Sequence, residues 1–132
     1  MPIDPQIKRI TMYSAASIAA NLTTVMGAFQ NPITIRRFIE TCGGQSGTSP
    51  TTALNIDDAG AAGGGSTAIA DKSAAALTNE VPVKTEANDV NAADGYKLAA
   101  GNAVKVAIAI GGSSTPTFTG YTLVMEYVEG IG

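Results

Sequence analysis

The side chains able to do chemistry are few in this chain, and their types narrow the choice. It has 11 acidic residues, 8 lysines and arginines, one cysteine and no histidine. Without histidine, general acid–base sites, nucleophile–base triads and nitrogen-ligated metal sites all lose their usual participant. The acidic pairs are Asp57-Asp58 and Asp89/Asp94. Calcium wants several oxygens at a set spacing; neither pair has the spacing of a calcium loop, so both read as solvated turn residues. Catalysis by carboxylates alone, as in glycosidases, is formally open. With no tryptophan and only 5% aromatic residues, however, the chain is poorly equipped to grip a sugar. Gly60-Ala61-Ala62-Gly63-Gly64-Gly65-Ser66-Thr67 has the glycine density of a phosphate loop, but Gly65 stands where a lysine must meet the phosphate charge. It reads as a flexible connection. Cys42 has no second cysteine to pair with and no histidine to activate it, so it reads as a small buried hydrophobe at a strand end. No catalytic, cofactor-binding or metal site follows from these residues, and the chain is not expected to be an enzyme.

Charge bounds the partners. The net charge is −3 and charged residues make up 14% of the chain, which leaves a surface of Ser, Thr, Ala, Gly and Asn. No basic stripe is available for phosphates, so nucleic acid is not an expected partner. No apolar run has the length of a membrane span, and Met1-Pro2-Ile3-Asp4-Pro5-Gln6 lacks the features of a secretory signal. Asn21-Leu22-Thr23 is then a glycosylation sequon by letter only. Arg36-Arg37 is an adjacent pair of positive charges. It has two readings: a solvated strand face, or a docking contact to an acidic neighbour.

The elements that must position these groups are strands. From Ala99 to Gly130, Val104, Val106, Ile108 and Ile110 share one parity and Ala103, Lys105, Ala107 and Ala109 the other; Tyr121, Leu123, Met125 and Tyr127 share a face further on. Successive strand residues point to opposite faces, so each run builds one heavy apolar face. The Gly/Ser/Thr stretch 111–120 between them reads as the long loop of a hairpin-like unit. Upstream, Ile7 to Tyr13, Leu22 to Phe29 and Ile33 to Cys42 read as strands. In the last, Arg37 falls on the apolar parity and Phe38 on the polar one, a mismatch that a bulge would correct. Residues 14–21 read as a connection and 43–50 as a loop. Thr51 to Asp57 is a strand with Leu54 and Ile56 inward, and Thr67 to Ala70 a short one. Asp71 to Leu77 offers one or two helical turns. Pro82 places Glu80 to Glu86 at a sheet edge; Asn88 to Asp94 is a turn-rich excursion leading to Tyr96–Ala99.

Short strands with turn signals about every ten residues predict an all-β, single-domain jelly roll or β-sandwich with long Gly/Ser/Thr loops. Pro2 and Pro5 keep residues 1–6 extended as an N-terminal arm, with residues 7–132 as the domain. The apolar content comes from alanine more than from aromatic residues, so burial per residue is modest and association with other subunits would add to it.

The run Leu98 to Val106, Gly111-Gly112, and Leu123 to Gly130, with Ala76 to Glu80 and the Asp57 to Gly60 turn, resembles small proteins encoded beside the major capsid protein in tailed bacteriophages. These are head decoration, or cement, proteins. The resemblance implies a jelly-roll or related β-sandwich that binds the outer surface of the shell in the virion after synthesis in the host cytoplasm. It further implies contacts with the major capsid protein and with other copies, as a homodimer or homotrimer, and no cofactor. The contact residues expected here are Ile3, Pro5 and Ile7 of the arm region, and Arg36 and Arg37. The alternative is a phage tail or fibre component that recognises a host-surface receptor through the loops.

Overall fold

β-Branched and alternating segments pair wherever a neighbour is within reach, and among the described residues much of that pairing converges on one strand. The computed structural model describes residues 6–26, 29–87 and 95–129. Among these, eight strands run in chain order: β1 (Lys8–Ile18), β2 (Leu22–Met26), β3 (Ile33–Thr41), β4 (Gly44–Gly60), β5 (Thr67–Ala75), β6 (Val83–Glu86), β7 (Tyr96–Leu98) and β8 (Ala103–Glu129). No helix occurs among the described residues.

β8 is the axis. Its first part lies antiparallel between β2 and β4, with Val106 opposite both Thr24 and Ile56. Its last part lies between β1 and β3, with Met125 opposite both Ile10 and Phe38. β3 and β4 form one ribbon along it, interrupted only by Cys42 and Gly43, and β1 and β2 flank it on the other side. One half of the sheet therefore reads β2-β8-β4-β5. The other reads β1-β8-β3, with β6 and β7 both paired to β3. The sheet folds over a single core in which Leu54, Ile56, Ile69, Val104, Val106 and Ile108 from the first half meet Ile33, Ile35, Phe38, Tyr121, Leu123 and Met125 from the second. This is the expected all-β sandwich of jelly-roll type. Leu54 and Ile56 point inward as their parity required, and β6 ends the sheet path as Pro82 required.

The fold differs from the sequence reading in three respects. The stretches 43–50 and 111–120 are not loops, and no hairpin forms between the halves of β8. Gly44 to Thr48 pairs with Ser113 to Thr119, so the ribbon turns a corner without losing its partner. Register shifts at Ser46/Thr48 and Thr48/Thr51 supply the bend, since an extra residue in one strand kinks it. Gly47 (φ +92) and Gly112 (φ +116) adopt backbone that side chains disfavour; a Cβ on Gly47 would sit 2.7 Å from Pro116 Cα. Ser49, Ser114 and Thr115 are also left-handed, at φ 48, 58 and 58. Second, β1 continues through Ser14 to Ile18 because β8 is there to pair with it. Third, Asp71 to Ala75 extends β5, where helical turns were expected: pairing with β4 outweighs the helical preference of alanine.

Two bulges set the faces. Register shifts at Thr11/Tyr13 in β1 and at Ile35/Arg37 in β3. The second turns Arg37 outward against Glu126 and buries Phe38 completely. The parity conflict in the sequence is resolved by one extra residue, Arg36.

Candidate functional site

Among the described residues, three groups of ionisable side chains stand out, each held by neighbouring strands. The first lies in the core. Glu40 on β3, fully buried, accepts hydrogen bonds at Oε2 from Tyr121 (2.6 Å) and Thr52 (2.8 Å), while its Oε1 lies 2.6 Å from Lys72 Nζ. Lys72 also donates to Thr52 Oγ1 at 2.7 Å. Burial, then the Glu40 charge, pushes the Tyr121 phenol far above its ordinary range. The group joins strands of the two halves, with the Glu40 carboxylate fully buried and the Lys72 side chain 12% exposed.

The second is the Asp58 turn. Asp58 Oδ1 accepts from Gly60 N at 2.9 Å and from Asn102 Nδ2 at 3.2 Å, and Oδ2 accepts from Tyr96 OH at 2.8 Å. Burial first, then that bond, raises the Tyr96 phenol. Asp58 is thus a staple between β4, β7 and the turn at Asn102, and Asp57 is buried on β4, so neither is the solvated turn residue that the sequence suggested. No group of three or more potential metal ligands exists among the described residues. Asp89 and Asp94 lie outside the described residues. The Gly60–Thr67 connection closes on itself through Gly65 N to Ala59 O (2.8 Å), with Lys105 Nζ reaching the Gly65 carbonyl at 3.5 Å.

The third runs across the outer face of the second half. Register places Arg9, Glu126, Arg37 and Glu86 side by side on β1, β8, β3 and β6. Arg9 Nε donates to Glu126 Oε2 at 2.6 Å, Arg37 Nη1 lies 3.4 Å from Glu126 Oε1, and Arg37 Nε donates to Glu86 Oε2 at 3.0 Å. The row alternates in sign, and Glu126 is buried beneath its two arginines. Neither sequence reading of Arg37, solvated or docked to a neighbour, included these carboxylates. The signal was Glu126, one residue after Met125 and on the opposite parity from Leu123 and Met125; its partner strand was not deducible from spacing.

The remaining sequence-singled residues are scattered. Ile3 and Pro5 lie outside the described residues, while Ile7 is exposed (57%) just before β1. Arg36 sits at the β3 bulge, its Nε buried without a partner and its carbonyl bonded to Ala87 N (2.9 Å). Cys42 is buried at the end of β3 as expected; burial raises its thiol above the usual range, and Sγ lies 3.9 Å from Asn79 Oδ1. A cleft of 460 Å³ opens at one end between Ile10, Met26, Phe29, Ile33 and Tyr127, rimmed by Glu129. Its polar lining is Gln30, Asn31, the Tyr127 phenol and the Glu129 carboxylate, the last paired with Lys8 at 2.6 Å. No helix of the described residues is long and apolar enough to cross a membrane.

No protein-family model and no curated protein matches this sequence. Among solved structures, a chain of the infectious bursal disease virus Gx strain aligns over 96% of this chain and 32% of its own, at TM-score 0.48 and 14% identity. A chain of the T13 IBDV viral particle aligns over 96% and 31%, at TM-score 0.48 and 12% identity. One from T=1 particles derived from the same virus gives 96% and 32%, at TM-score 0.44 and 14% identity. The present chain spans about a third of the length of these viral chains. At this level the likeness carries no assignment of function.

Proposed function

We propose that this chain is a structural protein of a virion, a decoration or cement subunit that docks on the outside of a shell and braces the major capsid protein beneath it. The observation that carries the reading is the fate of three acids among the described residues: Glu40 and Glu126, both buried, and half-buried Asp58 are each held between strands, where they stiffen the sandwich. The sequence resemblance to tailed-phage head proteins supports the same role. The mechanism is added burial: each docked copy covers a seam, and separating the shell proteins then requires releasing that copy as well. The proposed contact takes in the arm expected over residues 1–6, with Ile3 and Pro5, together with exposed Ile7 and the strand bearing Arg36 and Arg37.

Counting copies in purified particles tests the role. A cement protein is present in hundreds of copies per shell, and removing it leaves particles that break at lower temperature. A few copies confined to a tail would favour the receptor-binding alternative, and absence from particles would refute both. Deleting residues 1–6 should lower shell occupancy while leaving the sandwich folded; full occupancy by the truncated chain would remove the arm from the contact.

A further inference from the structure

The charged row on the outer face ends differently at its two edges. At the β6 edge stands Glu86, with a side chain 64% exposed and only Oε2 engaged; at the β1 edge stands Arg9, with a side chain 67% exposed and only Nε engaged. Both strands are sheet edges among the described residues, β1 pairing with β8 alone and β6 with β3 alone. An unpaired edge presents free N–H and C=O groups and is a template for another strand.

From these two edges we infer that copies of this chain associate head to tail, the β6 edge of one receiving the β1 edge of the next, with Glu86 of one copy paired to Arg9 of its neighbour. Direction allows it. Successive antiparallel pairings from β1 through β8 and β3 to β6 leave β6 opposed to β1, so a second copy in the same orientation arrives antiparallel. Register allows it as well. With Glu86 opposite the neighbour's Arg9, Thr85 meets Ile10, Lys84 meets Thr11 and Val83 meets Met12. The parities agree: Glu86 and Arg9 both lie on the outer face, whereas Thr85 and Met12 are both buried toward the core. No like charges oppose, and the sign alternation continues from one copy into the next. Cross-strand pairs of opposite charge favour such a register.

Self-pairing of two β1 edges does not fit as well, since β1 carries Lys8 and Arg9 but no acid to receive them. The inferred contact is heterologous, so it closes into a ring or continues as a filament according to the twist between copies. The inference does not rest on the virion reading and is tested on the full chain alone.

Sedimentation velocity over a wide concentration range, paired with hydrogen exchange, reads it directly. Association should appear as concentration rises and weaken with salt, and amides of β1 and β6 should gain protection together. Arg9→Ala and Glu86→Ala should each weaken association by about threefold to tenfold. Both variants should keep the fold, because Arg37 still pairs with the remaining carboxylate. A chain that stays monomeric at every concentration overturns the inference. So does protection gained on β1 without β6, or association indifferent to Glu86→Ala, which is the signature of β1 pairing with itself.

Discussion

Lys72 Nζ on β5 lies 2.6 Å from Glu40 Oε1 on β3, an ion pair that ties the two halves of the sandwich together through their shared core. Glu40 is fully buried and the Lys72 side chain is 12% exposed, so solvent screens the pair little. Thr52 and Tyr121 occupy the other carboxylate oxygen. A buried pair of this kind adds less than its Coulomb energy suggests, because both ions gave up hydration. Breaking it from one side is another matter.

Lys72→Met should therefore destabilise the chain by about 3–5 kcal/mol, since it leaves Glu40 buried without its cation. The double variant Glu40→Met/Lys72→Met should recover most of that loss. Urea denaturation of the two single variants and the double gives the coupling; additive effects would show that the pair does not act as a unit.

Alkaline pH should unfold the chain through Tyr96 and Tyr121. Both phenols are raised, chiefly by burial and then by Asp58 and Glu40 respectively. In the unfolded chain a tyrosine gives up its proton near pH 10. The folded state keeps the proton where the unfolded state loses it, so this contribution is complete below about pH 10 and falls away as pH rises further. Absorbance titration should show two of the four tyrosines ionising only as the fold is lost. Reversible ionisation of all four in the folded chain would contradict the buried hydrogen bonds.

The corner of the ribbon is a backbone device and should respond to a single methyl group. At Gly112 (φ +116) a Cβ would sit 2.8 Å from the carbonyl oxygens of both Thr48 and Ser49. Gly112→Ala should cost about 1–3 kcal/mol. Gly64→Ala, where a Cβ meets nothing within 4 Å, is the control and should be close to neutral by thermal melting.

In the outer-face row, Arg9→Ala should cost less than about 1 kcal/mol, since its side chain is 67% exposed. Arg37→Ala should cost more, because it releases Glu86 and Glu126 together. Removing both arginines strands the Glu126 carboxylate, whose side chain is 4% exposed, so the double loss should exceed the sum of the single ones. Additive melting shifts would contradict the shared carboxylate.

The sequence made the strands legible wherever apolar residues alternate: Leu54 and Ile56 in β4, and Val104, Val106 and Ile108 in β8, all face the core. It also exposed the conflict at Arg37 and Phe38 that the Arg36 bulge resolves. What it could not convey was continuity. A Gly/Ser/Thr stretch is equally suited to a loop and to a ribbon turning a corner, and only the facing partner decides; Gly44–Thr48 and Ser113–Thr119 supply each other's partner from positions far apart in sequence. The same distance hid the polar clusters. Glu40 and Lys72, or Arg9 and Glu126, become neighbours through pairing register, which composition and spacing do not encode.

β8 closes the described part of the chain and is also the strand that β1, β2, β3 and β4 all require. During synthesis the ribosome releases the earlier segments long before it makes their common partner. Until β8 begins at Ala103, no more than the β4–β5 and β3–β6/β7 pairings can form. Such long-range closure slows folding and leaves unpaired ribbons waiting in the nascent chain. Truncation within the final strand should thus remove the whole sandwich at once.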